Sequence, residues 1–121
     1  MSRLCKRSIS DIKKNICDSA ACFARSYKVT CVLKDAVTCT TASDGVIYIN
    51  TTGNSGMATA GSGDVLAGIL GGLLAVRTPI HIAGALGVYL HGLCGDKAKS
   101  KYGESYMMAG NIIESLSYYL Q

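Results

Sequence analysis

The residues of this 121-residue chain best suited to chemistry fall in one stretch, Thr51-Thr-Gly-Asn-Ser-Gly-Met-Ala-Thr-Ala-Gly-Ser-Gly-Asp64. It runs directly into the apolar segment Val65-Leu-Ala-Gly-Ile-Leu-Gly-Gly-Leu-Leu-Ala75. Small residues let a backbone approach an anion closely, and the start of a helix presents N–H groups that lack intrahelical partners. Together they form a phosphate cradle. A carboxylate beside a phosphate is repelled by it, so its presence there needs a chemical reason. Proton removal supplies one, and Asp64 is the candidate general base.

Other reactive side chains carry less. His81 and His91 are the only histidines, and their ten-residue separation is too long for a metal pair on one helical turn. His91 is read as a packed structural histidine and Met57 as an apolar plug in the loop. No cluster of carboxylates dedicated to a metal is visible. The cysteines at 5, 17, 22, 31, 39 and 94 form no C-x-x-C pair, and several sit in apolar runs where a small hydrophobe serves equally well. Reduced, buried thiols are expected, and with no apolar core in Met1-Ser-Arg-Leu-Cys-Lys-Arg7 to mark a signal peptide, a cytoplasmic setting is expected.

Composition bounds the rest. A hydrophobic content of 49% with 17% charged residues is that of a globular core. The net charge of +4 is uneven: residues 1–34 hold eight Lys or Arg against two Asp, and the remainder four against six acids. The basic residues are spread along one amphipathic segment without an aromatic platform, which argues for a solvated helix face and against nucleic acid. The longest apolar run, Val65 to Val76, falls short of the roughly 20 residues that span a bilayer. No membrane partner is expected.

These residues need elements to hold them. Ser8 or Ser10 is placed to cap a helix running to about Tyr27, with Ile12, Ile16, Ala20, Phe23 and Ala24 on one face. Val29–Leu33 has the length and β-branched composition of a buried strand of a parallel sheet. Val37–Thr41 and Val46–Ile49 read as a hairpin turning at Asp44-Gly45. A helix is predicted from Asp64 to about Val76. Thr78-Pro79 should cap and open a second, towards Ala98, and a third should run from about Ser105 to Tyr119. The fold class is α/β. One parallel strand leaves wide apolar helix faces in need of a partner layer, so a homo-oligomer or association with a missing N-terminal half is expected.

The segment Asn50 to Gly68, with Val32-Leu-Lys-Asp-Ala-Val-Thr38 upstream and Tyr89-Leu-His-Gly92 downstream, closely resembles the ADP/ATP-dependent NAD(P)H-hydrate dehydratases of the ribokinase-like superfamily. The resemblance covers nearly the whole chain. It implies a three-layer α/β/α fold of which this is the C-terminal portion: a parallel strand, a hairpin, a Gly-rich loop and three helices. It also implies a repair reaction that dehydrates hydrated NADH or NADPH at the expense of ADP or ATP with Mg2+. Phosphorylation turns a poor hydroxyl leaving group into a good one. Asp64 would bind the substrate hydroxyl and take its proton, while the amides of Ala60, Gly61, Ser62 and Gly63 hold the developing charge. Lys34, Asp35, Ala36, Val37 and Thr38 would line the nucleotide, Lys34 as a point charge. Asn54, Ser55, Gly56, Met57, Ala58 and Thr59 would complete the site with those four cradle residues.

Two departures stand out. Asp35 occupies a position where the family carries Gly, so its carboxylate could offset Lys34. Met107-Met-Ala-Gly-Asn111 stands where Ala-Ser-Asp is common. Family domains also extend well over one hundred residues further towards the N-terminus. The alternatives are a sugar or vitamin-precursor kinase of the same superfamily and a catalytically incompetent nucleotide-binding fragment.

Overall fold

A computed structural model describes residues 1–120, which pack as two compact units, Met1–Asn50 and residues 51–120. In the first, helices α1 (Ser2–Cys5), α2 (Ile9–Lys14) and α3 (Ile16–Tyr27) precede strands β1 (Cys31–Leu33), β2 (Cys39–Thr41) and β3 (Ile47–Ile49). Ser8 caps α2 as its position suggests, its hydroxyl accepting the Asp11 N–H at 3.1 Å. The single helix expected to Tyr27 is instead broken at Asn15. That residue leaves helical geometry and caps α3 by accepting the Asp18 N–H at 3.3 Å. A short polar side chain that bonds its own backbone favours a cap over a helix interior. The predicted apolar face survives the break: Ile12, Ala20 and Ala24 are buried and Phe23 half-buried.

The three strands form one antiparallel sheet in the order β1-β2-β3. Cys31 lies opposite Thr41 and Leu33 opposite Cys39 in the first ladder, and Cys39 opposite Ile49 in the second. The strand read from Val29–Leu33 as a parallel-sheet member is therefore corrected for this chain: its ladder among the described residues is antiparallel. A buried apolar run reports burial on both faces, not strand direction, and here the direction is set by the short return through Lys34–Thr38. β2 is wholly buried at the sheet centre, with Ala20, Ala24, Cys31 and Cys39 as the apolar core. The hairpin turn forms as predicted. Gly45, at φ +91, donates to the Ala42 carbonyl at 3.1 Å, and the Asp44 side chain accepts the Val46 N–H at 3.0 Å.

The second unit is helical: a one-turn 3-10 helix at Ser55–Met57, then α4 (Ser62–Ala75), α5 (Ile80–Tyr102) and α6 (Ala109–Ser115). Val65, Ile69, Leu90, Cys94 and Ile112 form its core, with Met57, Leu73, Ala109 and Leu116 packed around them. Each of the larger aliphatic side chains buried there contributes about 1.5–3 kcal/mol. Thr78 does not cap α5. Arg77 sits at φ +63 and the Thr78 N–H is spent on the Leu73 carbonyl at 3.1 Å, closing α4, so Pro79 occupies the cap position. α5 then continues past Ala98 to Gly103, whose φ of +78 ends it. The last helix begins at Ala109, not Ser105. Burial of Met107 holds the preceding segment in an irregular path, and the Asn111 side chain accepts the Met108 N–H at 2.8 Å to start the helix there.

Candidate functional site

The Gly-rich loop is moulded on one face of α5. Gly92 and Gly95 form a notch with no room for a side chain. A Cβ at Gly92 would come 2.0 Å from the Thr52 Oγ1, and one at Gly95 2.2 Å from the Met57 Sδ. Met57 is thus the apolar plug its type suggested, set against the core. At the loop entry, the Asp96 carboxylate accepts the Gly53 N–H and the Asn54 side-chain N–H, each at 2.9 Å. Asn54 in turn accepts the Gly56 N–H at 3.1 Å and opens the one-turn helix. Ser55 donates to the Glu104 carboxylate, which also meets the Lys99 Nζ at 2.6 Å.

At the loop exit, Gly61 adopts φ +85, a left-handed geometry that glycine takes without strain, and stands as the N-cap of α4. It brings no side-chain cap. The carbonyl of Gly61 accepts the N–H groups of Asp64 and Val65, both at 3.0 Å, and the Thr59 carbonyl accepts that of Ser62 at 3.3 Å. The amides of Ala60, Gly61 and Gly63 have no partner among the described residues. They are free N–H donors clustered at the positive end of a 14-residue helix. Of the four amides expected to hold phosphate, those of Ala60, Gly61 and Gly63 are thus open, and that of Ser62 is engaged by the Thr59 carbonyl.

Asp64 sits in the first turn of α4, exposed and with no ion pair or hydrogen bond to its carboxylate among the described residues. An acid in the first turn gains about 0.3–1 kcal/mol from the helix dipole whatever else it does. A carboxylate left open beside free amides is also available as a base. His91, 5% exposed, lies within hydrogen-bond distance of α4: its Nε2 is 2.9 Å from the Ser62 carbonyl and 3.4 Å from the Ser62 hydroxyl. Because a carbonyl can only accept, the Nε2–H of His91 donates to it and holds the start of α4. His81 lies elsewhere on α5, half-exposed.

Alongside Asp64, an apolar groove of about 730 Å³ runs down α4, lined by Gly68, Ile69, Gly72 and Leu73 and by Ile113 and Leu116 across from them. Lys34, Asp35, Ala36, Val37 and Thr38 belong to the other unit, in the connection between β1 and β2. Lys34 is exposed there, and the Thr38 carbonyl accepts the Asn50 N–H at 3.0 Å. Asp35 lies 3.5 Å from the Lys13 Nζ. Among the described residues no group of three His, Cys, Asp or Glu is placed to hold a metal ion, and no helix is long and apolar enough to cross a membrane. All six cysteines are free, three of them buried.

Sequence reasoning missed Asp96 and Glu104. A signal for Asp96 existed: glycines three apart inside a helical pattern, Gly92-Leu-Cys-Gly95, mark a close backbone approach, and an acid directly after them faces whatever approaches. Nothing local marked Glu104, whose partners lie far away in sequence.

Fold and loop define an α/β protein that sets a glycine-rich loop before an acid-bearing helix. The family model for NAD(P)H-hydrate dehydratase (Carb_kinase) matches residues 1–117, and the chain belongs to that family. It is 45% identical over 121 residues to the bifunctional NAD(P)H-hydrate repair enzyme Nnr of Moorella thermoacetica, covering 100% of this chain and 23% of that protein. It is also 45% identical over 87 residues to the ADP-dependent (S)-NAD(P)H-hydrate dehydratase of Neisseria meningitidis, covering 71% of this chain and 29% of that one. The crystal structure of the Bacillus subtilis ADP/ATP-dependent NAD(P)H-hydrate dehydratase, co-crystallised with ATP/Mg2+ and soaked with CoA, superposes with a TM-score of 0.91. It is 26% identical, and the match covers 97% of this chain and 43% of that one. The chain thus spans less than half the length of these relatives.

Proposed function

We propose that this chain contributes the nucleotide loop and the catalytic base of an ADP- or ATP-dependent NAD(P)H-hydrate dehydratase. The observation that carries the reading is the pairing of three free amides, of Ala60, Gly61 and Gly63, with the open carboxylate of Asp64 at one helix N-terminus. The amides bind the terminal phosphoryl group and hold the negative charge that grows on it during transfer. Asp64 takes the proton from the ring hydroxyl of the hydrated nicotinamide as its oxygen attacks phosphorus. The shortened nucleotide leaves with the bridging oxygen; departure of the phosphate with its C–O bonding pair, and of a proton from the adjacent ring carbon to solvent, then restores the ring double bond. Asn54–Thr59 extend the nucleotide contacts of the second unit; in the first unit Lys34 and Asp35–Thr38 are separate nucleotide-binding candidates, with Lys34 exposed.

Mg2+ fits this chemistry as a companion of the nucleotide. It keeps much of its hydration and binds chiefly through phosphates, so a three-carboxylate cage is not required. The six free thiols suit a reducing cytosol. The open groove on α4 supports association with a second copy or with the rest of such a domain.

The test is Asp64→Asn, assayed on hydrated NADH with ADP or ATP and Mg2+. Loss of a positioned general base lowers turnover by about 10²–10⁴, while nucleotide affinity, measured by calorimetry, stays close to the parent's. An Asn variant that turns over like the parent removes Asp64 from the mechanism. A phosphorylated alcohol accumulating as the end product would point instead to a small-molecule kinase.

A further inference from the structure

We propose that Asp96 is the positioning residue of the nucleotide loop: by clamping Gly53 and Asn54 it sets the backbone path from which the phosphate cradle follows. The proposal rests on the nucleotide reading above. The geometry behind it is confined to one unit.

Asp96 offers two carboxylate oxygens and meets two donors. Its Oδ2 accepts the Gly53 N–H and its Oδ1 the Asn54 Nδ2–H, both at 2.9 Å. This arrangement fixes which way the Asn54 amide points, because the amide nitrogen must face the carboxylate. The amide oxygen is then left facing the Gly56 N–H, which it accepts at 3.1 Å. The Asn54 carbonyl accepts the Met57 N–H at 3.1 Å, and the Ser55 carbonyl that of Ala58 at 3.0 Å, completing the single 3-10 turn. Met57 drops from that turn into the Gly95 notch, one residue before Asp96. The chain direction into Ala58–Gly63 is thereby set from α5.

The second anchor is on the same helix. His91, five residues before Asp96, lies against Ser62 at the other end of the loop. Entry and exit of the cradle are thus tied to one rigid element, as a preorganised anion site requires. Asp96 has no cation within ion-pair distance among the described residues, so its charge is balanced here by N–H dipoles. An acceptor-only group is needed at this point. An amide in its place must turn a donor towards either the Gly53 N–H or the Asn54 Nδ2–H.

That logic supplies both a lesion and its repair. In Asp96→Asn one of the two contacts becomes donor against donor. In Asn54→Asp two carboxylates face each other. In the double variant the pattern closes again: the residue 54 carboxylate accepts from the residue 96 amide and from the Gly56 N–H, and the residue 96 amide oxygen accepts from the Gly53 N–H.

The experiment measures amide hydrogen exchange at Gly53 and Gly56 by NMR, and ADP and ATP affinity by calorimetry, in parent, single and double variants of the full chain. Each single variant is expected to speed exchange at these amides and to weaken nucleotide binding by roughly tenfold, the double variant recovering most of both. A purely structural role would not yield reciprocal rescue of nucleotide affinity. Unchanged exchange in Asp96→Asn overturns the clamp. Faster exchange with unchanged affinity overturns its positioning role. Absence of nucleotide binding by the parent refutes the nucleotide reading, and the positioning role with it, while the exchange data still decide the clamp. If the single variants prove too unstable to assay, a double variant that also fails to fold or bind counts against the proposal.

Discussion

Asp35 pairs with Lys13 across the first unit, its Oδ1 3.5 Å from the Lys13 Nζ, and makes no such contact with its neighbour Lys34. A carboxylate beside the one cation expected to face phosphate looks self-defeating in sequence. In the fold its charge is drawn towards α2, leaving the Lys34 ammonium exposed and without a salt-bridge partner among the described residues.

Removing Lys13 therefore tests whether the pair shields Lys34. Both partners are substantially exposed, so Lys13→Ala changes stability by no more than about 1 kcal/mol in urea unfolding. Nucleotide binding should weaken further than that pairing alone suggests, by about two- to fivefold at low salt, as Asp35 is released towards Lys34. Asp35→Ala in the same background restores it, and calorimetry at two salt concentrations reads the difference.

Gly95 is predicted to be intolerant of any side chain. An added Cβ would meet Met57 at 2.2 Å from the sulfur and 2.7 Å from Cγ. Overpacking of this kind costs about 1–3 kcal/mol, so Gly95→Ala lowers the urea midpoint accordingly. Met57→Ala makes room for the new methyl group. The double variant is expected to be less destabilised than the two single changes added together, which places the fault in the notch.

Alkaline pH should weaken the fold through two buried thiols. Burial, together with a hydrogen bond from the Cys39 thiol to Cys17, pushes Cys39 from 9.0 up to about 12, and burial raises Cys94 from 9.0 to about 11. These groups stay protonated in the folded chain after the unfolded chain has lost its protons. Stability is therefore undiminished below pH 9.0 and falls as pH rises through the folded values. Urea unfolding at stepped pH should show the decline in the parent and a shallower one in Cys39→Ala. Near neutral pH, the exposed Cys22 is alkylated before either of them.

How far the sequence reveals this protein differs from element to element. The loop and α4 were legible because both signals are local: small residues for close approach, then an apolar helical run with an acid at its start. The hairpin was legible for the same reason, through Asp44-Gly45. Long-range partners were not. Asn15 looks like a solvated polar residue of a continuous helix until its side chain is seen to cap the next one. The direction of β1 depends on which strand it meets, information its own residues do not hold. Met107 reads as the opening of a helix, yet its burial bends the chain away from helical geometry. In the candidate site, the donors and the acid were found from sequence, whereas the Asp96 clamp depends on a contact 43 residues away along the chain.

The side chains of α4 divide along its length. Ser62, Val65, Leu66 and Ile69 are buried near its start, while Gly71, Gly72, Leu74 and Ala75 are exposed near its end. In terms of local unfolding, such a helix opens from its C-terminus, with amide protection rising turn by turn towards Val65, past which the amides of Gly63 and Ser62 have no intrahelical partner. Fluctuations of the far end then dissipate before they reach Asp64, so the proposed base rides on the segment of the helix that is last to melt.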